Sequence, residues 1–237
     1  MSHQFYVSSL GDRLVDDALL PERIRLFLRQ EERLLQEVFH SFDSLVEVGS
    51  MHGLHLNFAA ASAKPYLGLD IVERYVAEGN ERVADLGLPA KDYRFLARGV
   101  EELGEISAPG RRPLVFAPFN CLGNITDLPG ALNGLAAGGF PFLLSSYHTD
   151  PLSTRCREEY YSACGYGDVR MHRDALGVRF TATDGLDTVA YEPGYLIAQF
   201  ADKGIEVEVV SFGDIGAAYI SSGLLGDRPA DARPALP

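Results

Sequence analysis

The feature that most constrains the fold is an alternation of short apolar runs with helical stretches between residues 44 and 146. The apolar runs read SLVEV, YLGLD, YRFLA, PLVFAPF and FPFLLSS. Short buried strands separated by helices are the sequence form of βαβ units, whose connections place helices on both faces of a parallel sheet. The chain is therefore predicted to be an α/β protein with a doubly wound, Rossmann-like sheet.

The pattern changes after residue 146. The run GVRFTATDGLDTVAYE has two β-rich halves around Asp184 and Gly185, which predicts a hairpin. A helix, PGYLIAQFADKG, and two late strands, IEVEVVSF and IGAAYISS, follow and bring the predicted sheet to seven strands. We expect one domain over residues 44–222, with an insert around residues 151–193 that shapes a substrate pocket.

The two ends of the chain differ from this domain. The stretch PERIRLFLRQEERLLQEVFHSF carries apolar residues at helical spacing and has Pro21 at a favoured first helical position. Residues 1–43 are therefore predicted to form a helical cap or lid. Residues 223–237 are rich in Pro and Ala without periodicity and are predicted to be a disordered tail.

Charge and cysteine content limit the partners and the compartment. The net charge is −12 without a basic patch, which disfavours nucleic acid and an anionic membrane surface and suits a neutral or cationic small molecule. Cys121, Cys156 and Cys164 lack zinc-like spacing, and the N-terminus lacks the pattern of a signal peptide. We expect a soluble, cytoplasmic protein with reduced thiols. A homodimer is compatible with these observations.

A glycine-containing stretch, LVEVGSMHGLHL, follows the first strand. It lacks the G-x-G-x-x-G spacing of dinucleotide-binding loops, which disfavours a nicotinamide or flavin cofactor. The stretch resembles motif I of the class I S-adenosylmethionine-dependent methyltransferases, an acid followed by x-G-x-G-x-G. Glu47 matches the acid, Gly49 and Gly53 match the outer glycines, and Met51 stands where the middle glycine would be. The resemblance implies that this loop, including Ser50, binds the methionine part of the cofactor.

An acidic residue at the end of the second predicted strand gives the second anchor. Asp70 lies 23 residues after Glu47 and is followed by Ile71. A carboxylate near this spacing can accept hydrogen bonds from both ribose hydroxyls, and we assign Asp70 and Ile71 to the cofactor site. The alternative is that Asp70 only caps the next helix, which is a common role for Asp.

The resemblance covers roughly residues 44–222 and implies a mostly parallel sheet with an antiparallel last strand. In the family, an acid after the third strand meets the adenine; here Val100 stands at that place, with Glu101 as the substitute. After the fourth strand, Pro118, Phe119 and Asn120 match the segment that lies beside the transferring methyl group. The implied cofactor is S-adenosyl-L-methionine.

Residues for catalysis and substrate binding are predicted from the same edge of the sheet. His148 follows the fifth strand and could act as a general base, or it could only cap a turn. Tyr147, Tyr160 and Asn124 are assigned to the substrate pocket. His52 and His55 share a helix start but have no third ligand nearby, so we predict no metal site and place His55 on the helix surface.

The predicted function is methyl transfer from S-adenosylmethionine to a small molecule by in-line displacement, with general-base help from His148. The alternative is a protein of the same fold that binds the cofactor without transferring methyl, as a cyclase-like enzyme or a binding protein. A nicotinamide-dependent oxidoreductase is a third hypothesis, and the glycine spacing counts against it.

Overall fold

The computed structural model describes residues 3–222 and Leu224. The strands, in chain order, are β1 (Ser44–Val48), β2 (Tyr66–Asp70), β3 (Tyr93–Ala97), β4 (Pro113–Ala117), β5 (Phe142–Tyr147), β6 (Arg170–Asp174), β7 (Gly177–Thr181), β8 (Asp187–Tyr191), β9 (Val207–Phe212) and β10 (Gly216–Ser221). The α-helices are α1 (His3–Val7), α2 (Glu22–Phe39), α3 (Leu56–Ala61), α4 (Glu73–Asp85), α5 (Cys121–Asn124), α6 (Leu128–Gly138), α7 (Pro151–Ala163) and α8 (Pro193–Ala201). Two 3₁₀ helices span Leu10–Val15 and Val100–Glu105.

The central sheet has seven strands in the order β3-β2-β1-β4-β5-β10-β9. Strands β1 to β5 pair in parallel, and β10 is antiparallel to both of its neighbours. This confirms the predicted mixed sheet with an antiparallel last strand. The order reverses between β1 and β4, so the carboxyl ends of β1, β2, β3 and β4 surround the point where ligands bind in open α/β sheets.

Burial explains why the strand predictions were correct. Every residue of β1, β2, β4 and β5 is buried, as expected for strands covered by helices on both faces. Neighbouring side chains enter opposite cores: Leu45 and Phe116 lie in one cluster, and Val46 and Val115 lie in the other. Alternation along each strand thus supplies both faces of the sheet.

The region after β5 contains a second, three-stranded sheet in the order β6-β7-β8. The predicted hairpin is β7 and β8, which pair antiparallel. Strand β6 was not predicted, because its sequence RMHRD is polar and all five residues are exposed. The fully buried Arg157 of α7 donates to the carbonyl oxygens of Val178 at 2.9 Å and Thr188 at 3.4 Å, which fixes this sheet to α7.

The N-terminal 3₁₀ helix is held from both sides. The Asp12 carboxylate accepts hydrogen bonds from the Arg74 guanidinium at 2.9 Å and from the Tyr75 hydroxyl, both on α4. On the other side, the Tyr160 hydroxyl donates to the carbonyl of Leu14. A cap function for residues 1–43 stays a prediction. The predicted tail, residues 223–237, lies outside the described residues except for Leu224.

Candidate functional site

The loop after β1 turns sharply through three residues with positive φ angles. Gly49 has φ 66°, Met51 has φ 47° and Gly53 has φ 96°. A Cβ atom added to Gly49 would lie 2.5 Å from Sγ of Cys121, so both the angle and the space demand glycine. Met51 adopts the left-handed conformation with a side chain present, at the position where the sequence motif has its middle glycine.

Asp70 holds this loop. Its Oδ2 accepts the backbone N–H of Met51 at 2.9 Å, and its Oδ1 accepts the backbone N–H of Val72 at 2.9 Å. The carboxylate is thereby oriented at the end of β2. Val72 is the N-cap residue of α4, and the bond from its backbone N–H to Asp70 is not a side-chain cap of that helix. Asp70 also lines the adjacent cavity.

A concave site with a mostly apolar lining lies at the carboxyl ends of β1 to β4, and we call it the loop cavity. Its volume is about 340 Å³. It is lined by Tyr6, Leu14, Val15, Val48, Gly49, Met51, Leu54, Leu69, Asp70, Ile71, Arg98, Gly99, Val100, Glu101, Pro118, Phe119, Cys121, Asn124, Ile125, Thr126 and Asp127. The cofactor residues assigned from the sequence that meet here are Gly49, Met51, Asp70, Ile71, Val100, Glu101, Pro118 and Phe119.

The thiol of Cys121 contributes an uncharged wall to the loop cavity. Burial, together with the nearby carboxylates of Asp70, Glu47 and Glu31, raises the pKa of Cys121 to about 12. The thiol therefore stays protonated near neutral pH and packs against the backbone of Gly49 without acting as a nucleophile.

Four other residues assigned to the cofactor are not among the residues that line this cavity. Ser50 is fully buried, and its N–H donates to the carbonyl of Leu69 at 3.1 Å. Gly53 lies against the ring of Phe95. Glu47 and Asn120 use their side chains within the protein. Cofactor contacts from these four residues stay predictions.

Asn120 shapes the segment after β4. Its side-chain nitrogen donates to the Thr188 hydroxyl at 3.1 Å and to the Val189 carbonyl at 3.0 Å, and its oxygen accepts the Ser146 hydroxyl at 2.6 Å. Asn120 and Phe119 have φ angles of 59° and 51°. Two successive left-handed residues are costly, so the contacts of Asn120 with β5 and β8 stabilise an otherwise unfavourable turn.

The predicted substrate residues come together around a smaller cavity of about 20 Å³, which we call the aromatic cavity. It is lined by Tyr147, Tyr160, Asn124 and Phe119. Asn124 and Phe119 also line the loop cavity, and Leu14 lines both cavities. The Tyr147 hydroxyl is buried and has no hydrogen-bond partner among the described residues. The volume is close to that of one water molecule.

His148 lies beside this region without lining it. Its backbone N–H donates to the carbonyl of Ile215 at 2.8 Å, and its side chain is half-buried. Burial lowers the pKa of His148, with the charge of Asp150 acting in the opposite direction. His148 lines neither the loop cavity nor the aromatic cavity. Its role as a base stays a prediction.

Glu47 is fully buried and forms an ion pair that the sequence did not reveal. It accepts the Tyr66 hydroxyl, the His55 backbone N–H at 3.1 Å and the His55 ring Nδ1 at 2.7 Å. Burial lowers the pKa of His55, but the charge and hydrogen bond of Glu47 more than offset this, so the pKa is raised. The prediction that His55 lies on the helix surface was wrong, since its side chain is only 14% exposed.

A second cavity, of about 380 Å³, lies under α2, and we call it the α2 cavity. It is lined by Val15, Asp17, Leu20, Arg25, Leu28, Arg29, Glu31, Glu32, Leu54, His55, Pro118 and Phe119. Four of these residues also line the loop cavity: Val15, Leu54, Pro118 and Phe119. The two cavities therefore share walls.

Glu31 is the buried acid of the α2 cavity, and sequence reasoning missed it. One carboxylate oxygen accepts the Phe119 N–H at 2.7 Å and the Ser145 hydroxyl. Burial raises the pKa of Glu31, although the charge of His55 and these hydrogen bonds act against it. Its burial could have been predicted from its position in the apolar stripe of α2, four residues after Phe27 and three residues before Leu34.

The described part of the chain contains neither a candidate metal site nor a candidate membrane-spanning helix. Within residues 3–222 and Leu224, no group of three His, Cys, Asp or Glu side chains could hold a metal ion. No helix in the same part of the chain is both long and apolar enough to cross a bilayer.

The fold can be compared with known proteins. No protein-family model and no curated protein sequence matches the chain. Magnesium protoporphyrin IX methyltransferase from Synechocystis PCC 6803 superposes with a TM-score of 0.60 at 11% identity, covering 92% of this chain and 96% of that one. A Burkholderia thailandensis 1,6-didemethyltoxoflavin-N1-methyltransferase gives 0.58 at 14% identity, covering 92% and 86%. An Aquifex aeolicus SAM-dependent methyltransferase gives 0.57 at 17%, covering 91% and 97%.

The chain has the fold of the S-adenosylmethionine-dependent methyltransferases. More than nine-tenths of this chain is covered in each of these three comparisons, so the match extends beyond the sheet. The resemblance carried by Glu47, Gly49 and Gly53 agrees with the fold of the described residues. Fold alone does not establish activity.

Proposed function

We propose that the protein transfers a methyl group from S-adenosylmethionine to a small molecule. The observation that carries the proposal is the loop cavity, which collects eight of the residues assigned to the cofactor at one edge of a methyltransferase fold. When bound, the cofactor would supply an electrophilic methyl group on a sulfonium centre. The chain would supply binding, orientation and exclusion of water.

The donor set of the loop cavity fits this cofactor. Asp70 presents an oriented carboxylate at the end of β2, suited to a vicinal diol. Ile71 is 51% exposed at the cavity wall, where an apolar side chain suits the face of a purine ring. Asp70, Glu101 and Asp127 outnumber Arg98 among the charged lining residues, and this balance favours a cationic ligand.

The same neighbourhood supports a small acceptor. The loop cavity, the α2 cavity and the aromatic cavity meet at Phe119, and the two larger ones have volumes of about 340 and 380 Å³. Such volumes are typical of sites for small molecules. The chain carries a net charge of −12, so we propose neither nucleic acid nor an anionic membrane as the partner. A cytoplasmic location and a homodimer stay predictions.

The deciding experiment is isothermal calorimetry with S-adenosylmethionine, S-adenosylhomocysteine and NAD in parallel. We expect both adenosyl compounds to bind and NAD to give no heat. Asp70→Ala should weaken binding by roughly 1.5–3 kcal/mol, the range for hydrogen bonds to a charged group. Asp85→Ala, which removes an exposed acid at the end of α4, is the matched control and should bind as the wild type does.

Three outcomes would count against the proposal. Binding of NAD in place of the adenosyl compounds would favour an oxidoreductase. Normal affinity in a folded Asp70→Ala protein would remove Asp70 from the site. Binding of S-adenosylmethionine without release of S-adenosylhomocysteine, across a broad panel of small nucleophiles, would favour the non-methylating alternative.

A further inference from the structure

The α2 cavity contains a buried acid, Glu31, that does not line the proposed cofactor site. Glu31 lies at its wall and is only 1% exposed, yet it forms no ion pair with any described residue. Glu31 accepts hydrogen bonds from the Phe119 N–H and the Ser145 hydroxyl, but both donors are neutral. A buried carboxylate is costly unless a cation compensates its charge, so an acid without a cationic partner points to a ligand that brings the positive charge.

The other charged groups of the α2 cavity are already engaged or lie at its rim. The Arg25 guanidinium donates to the carbonyls of Leu20 and Asp17, and Arg29 pairs with Glu22 at 2.8 Å. His55 is held by Glu47 at 2.7 Å. Within the described residues, none of these three side chains forms an ion pair with Glu31.

The position of Glu31 connects it to the proposed reaction. Its carboxylate accepts the N–H of Phe119, and Phe119 lines the loop cavity as well as the α2 cavity. Pro118, Leu54 and Val15 complete the shared wall. A molecule that occupies the α2 cavity with a polar group on Glu31 is therefore next to the proposed cofactor site. Leu20, Leu28 and Phe119 would contact its apolar part.

We propose that the α2 cavity binds the methyl acceptor, and that this acceptor is a small amine that binds as an ammonium ion to the carboxylate of Glu31. One proton passes from the ammonium nitrogen to a Glu31 oxygen, giving a carboxylic acid and a neutral amine. The nitrogen lone pair would then form a bond to the methyl carbon as the C–S bond of S-adenosylmethionine breaks, and S-adenosylhomocysteine would leave as a neutral thioether. This inference rests on the proposed function.

The environment of Glu31 is consistent with that proton transfer. Burial raises the pKa of Glu31, and a more basic carboxylate is a better proton acceptor. His55 and Glu47 lie close enough to influence it, with opposite signs. An alcohol would have no positive charge to offer, and a carboxylic acid would place a second negative charge beside Glu31.

The test uses three probes of similar shape: benzylamine, benzyl alcohol and benzoate. Each is titrated at pH 7 into the full-length protein saturated with S-adenosylhomocysteine, and binding is followed by NMR. We expect benzylamine to bind about tenfold more tightly than benzyl alcohol, with benzoate weakest, from the strength of hydrogen bonds between charged groups. Glu31→Gln should remove this preference, because the amide keeps an acceptor for Phe119 but has no charge.

The controls separate a binding role from a structural one. Glu37→Gln removes the same charge from an exposed position of α2 and should keep the preference for benzylamine. If Glu31→Gln fails to fold, Leu28→Trp gives a second test, because the larger side chain should fill the cavity and abolish benzylamine binding while S-adenosylhomocysteine still binds.

The possible failures are distinguishable. If S-adenosylhomocysteine does not bind to the wild type, the proposed function itself fails. If it binds but benzyl alcohol or benzoate binds as tightly as benzylamine, only the amine acceptor is refuted. If folded Glu31→Gln still prefers benzylamine, the amine proposal is also refuted, because a group other than Glu31 would then bind the ammonium ion.

Discussion

Met51 offers a test in which backbone and side chain act in opposite directions. Its φ of 47° costs a residue with a Cβ roughly 1–2 kcal/mol relative to glycine. Its side chain, however, is only 7% exposed and packs in a cluster with Val72 and Tyr75. Truncation of a buried methionine to alanine costs about 2–5 kcal/mol. Packing is the larger effect, so both Met51→Ala and Met51→Gly should lower the free energy of unfolding.

The comparison of the two variants isolates the backbone contribution. Alanine loses the packing and keeps the strain, whereas glycine loses the packing and relieves the strain. Met51→Gly should therefore be about 1 kcal/mol more stable than Met51→Ala, measured by urea denaturation. At the exposed Ala77 in the interior of α4, the same alanine-to-glycine change should destabilise by about 1 kcal/mol. If the two sites show the same sign, the left-handed conformation of Met51 is refuted.

Three further perturbations probe the loop, the N-terminal segment and the buried ion pair. Gly49→Val should abolish S-adenosylhomocysteine binding in calorimetry, because its Cβ would lie 2.5 Å from Sγ of Cys121; normal affinity would exclude the loop from the site. Asp12→Asn should increase hydrogen exchange in the 3₁₀ helix over residues 10–15, since it weakens the ion pair to α4; unchanged exchange would show that other contacts suffice. His55→Gln should cost most stability below pH of about 6.5, where the raised pKa of His55 leaves the ion pair with Glu47 fully formed, and progressively less as pH rises through that pKa; a pH-independent difference would refute the charged pair.

The main sheet could be predicted from the sequence because its strands are buried on both faces. A run such as SLVEV or YLGLD is apolar enough to stand out from the sequence around it. Strand β6 has no such signal. Its residues are all exposed, and it exists because β7 offers an edge with which it can pair along its length. That pairing depends on the tertiary arrangement and not on local composition.

Some residues of the candidate site could be predicted from the sequence, and others could not. Asp70, Ile71 and Phe119 were assigned from the spacing to Glu47 and from the family resemblance. They meet in the structure because residues that follow parallel strands lie at one edge of the sheet. Glu31 and His55 were missed because their surroundings come from distant parts of the chain: α2 brings Glu31 to β5, and β1 brings Glu47 to His55. A charged residue on a helix is usually assigned to the solvated face, although the spacing of Glu31 places it in the apolar stripe.

The presence of an acid in that stripe has a structural reason that also links the two larger cavities. A leucine at position 31 would continue the apolar face of α2, but it would leave the N–H of Phe119 without the acceptor it has at 2.7 Å. Phe119 has a φ of 51°, a conformation that costs roughly 1–2 kcal/mol for a residue with a side chain. A hydrogen bond to a charged acceptor contributes about 1.5–3 kcal/mol and can offset that strain. Phe119, one of the four residues that the loop cavity and the α2 cavity share, is thus held in place by Glu31. A cation bound to Glu31 would share the same carboxylate, so binding in the α2 cavity should influence the wall of the loop cavity.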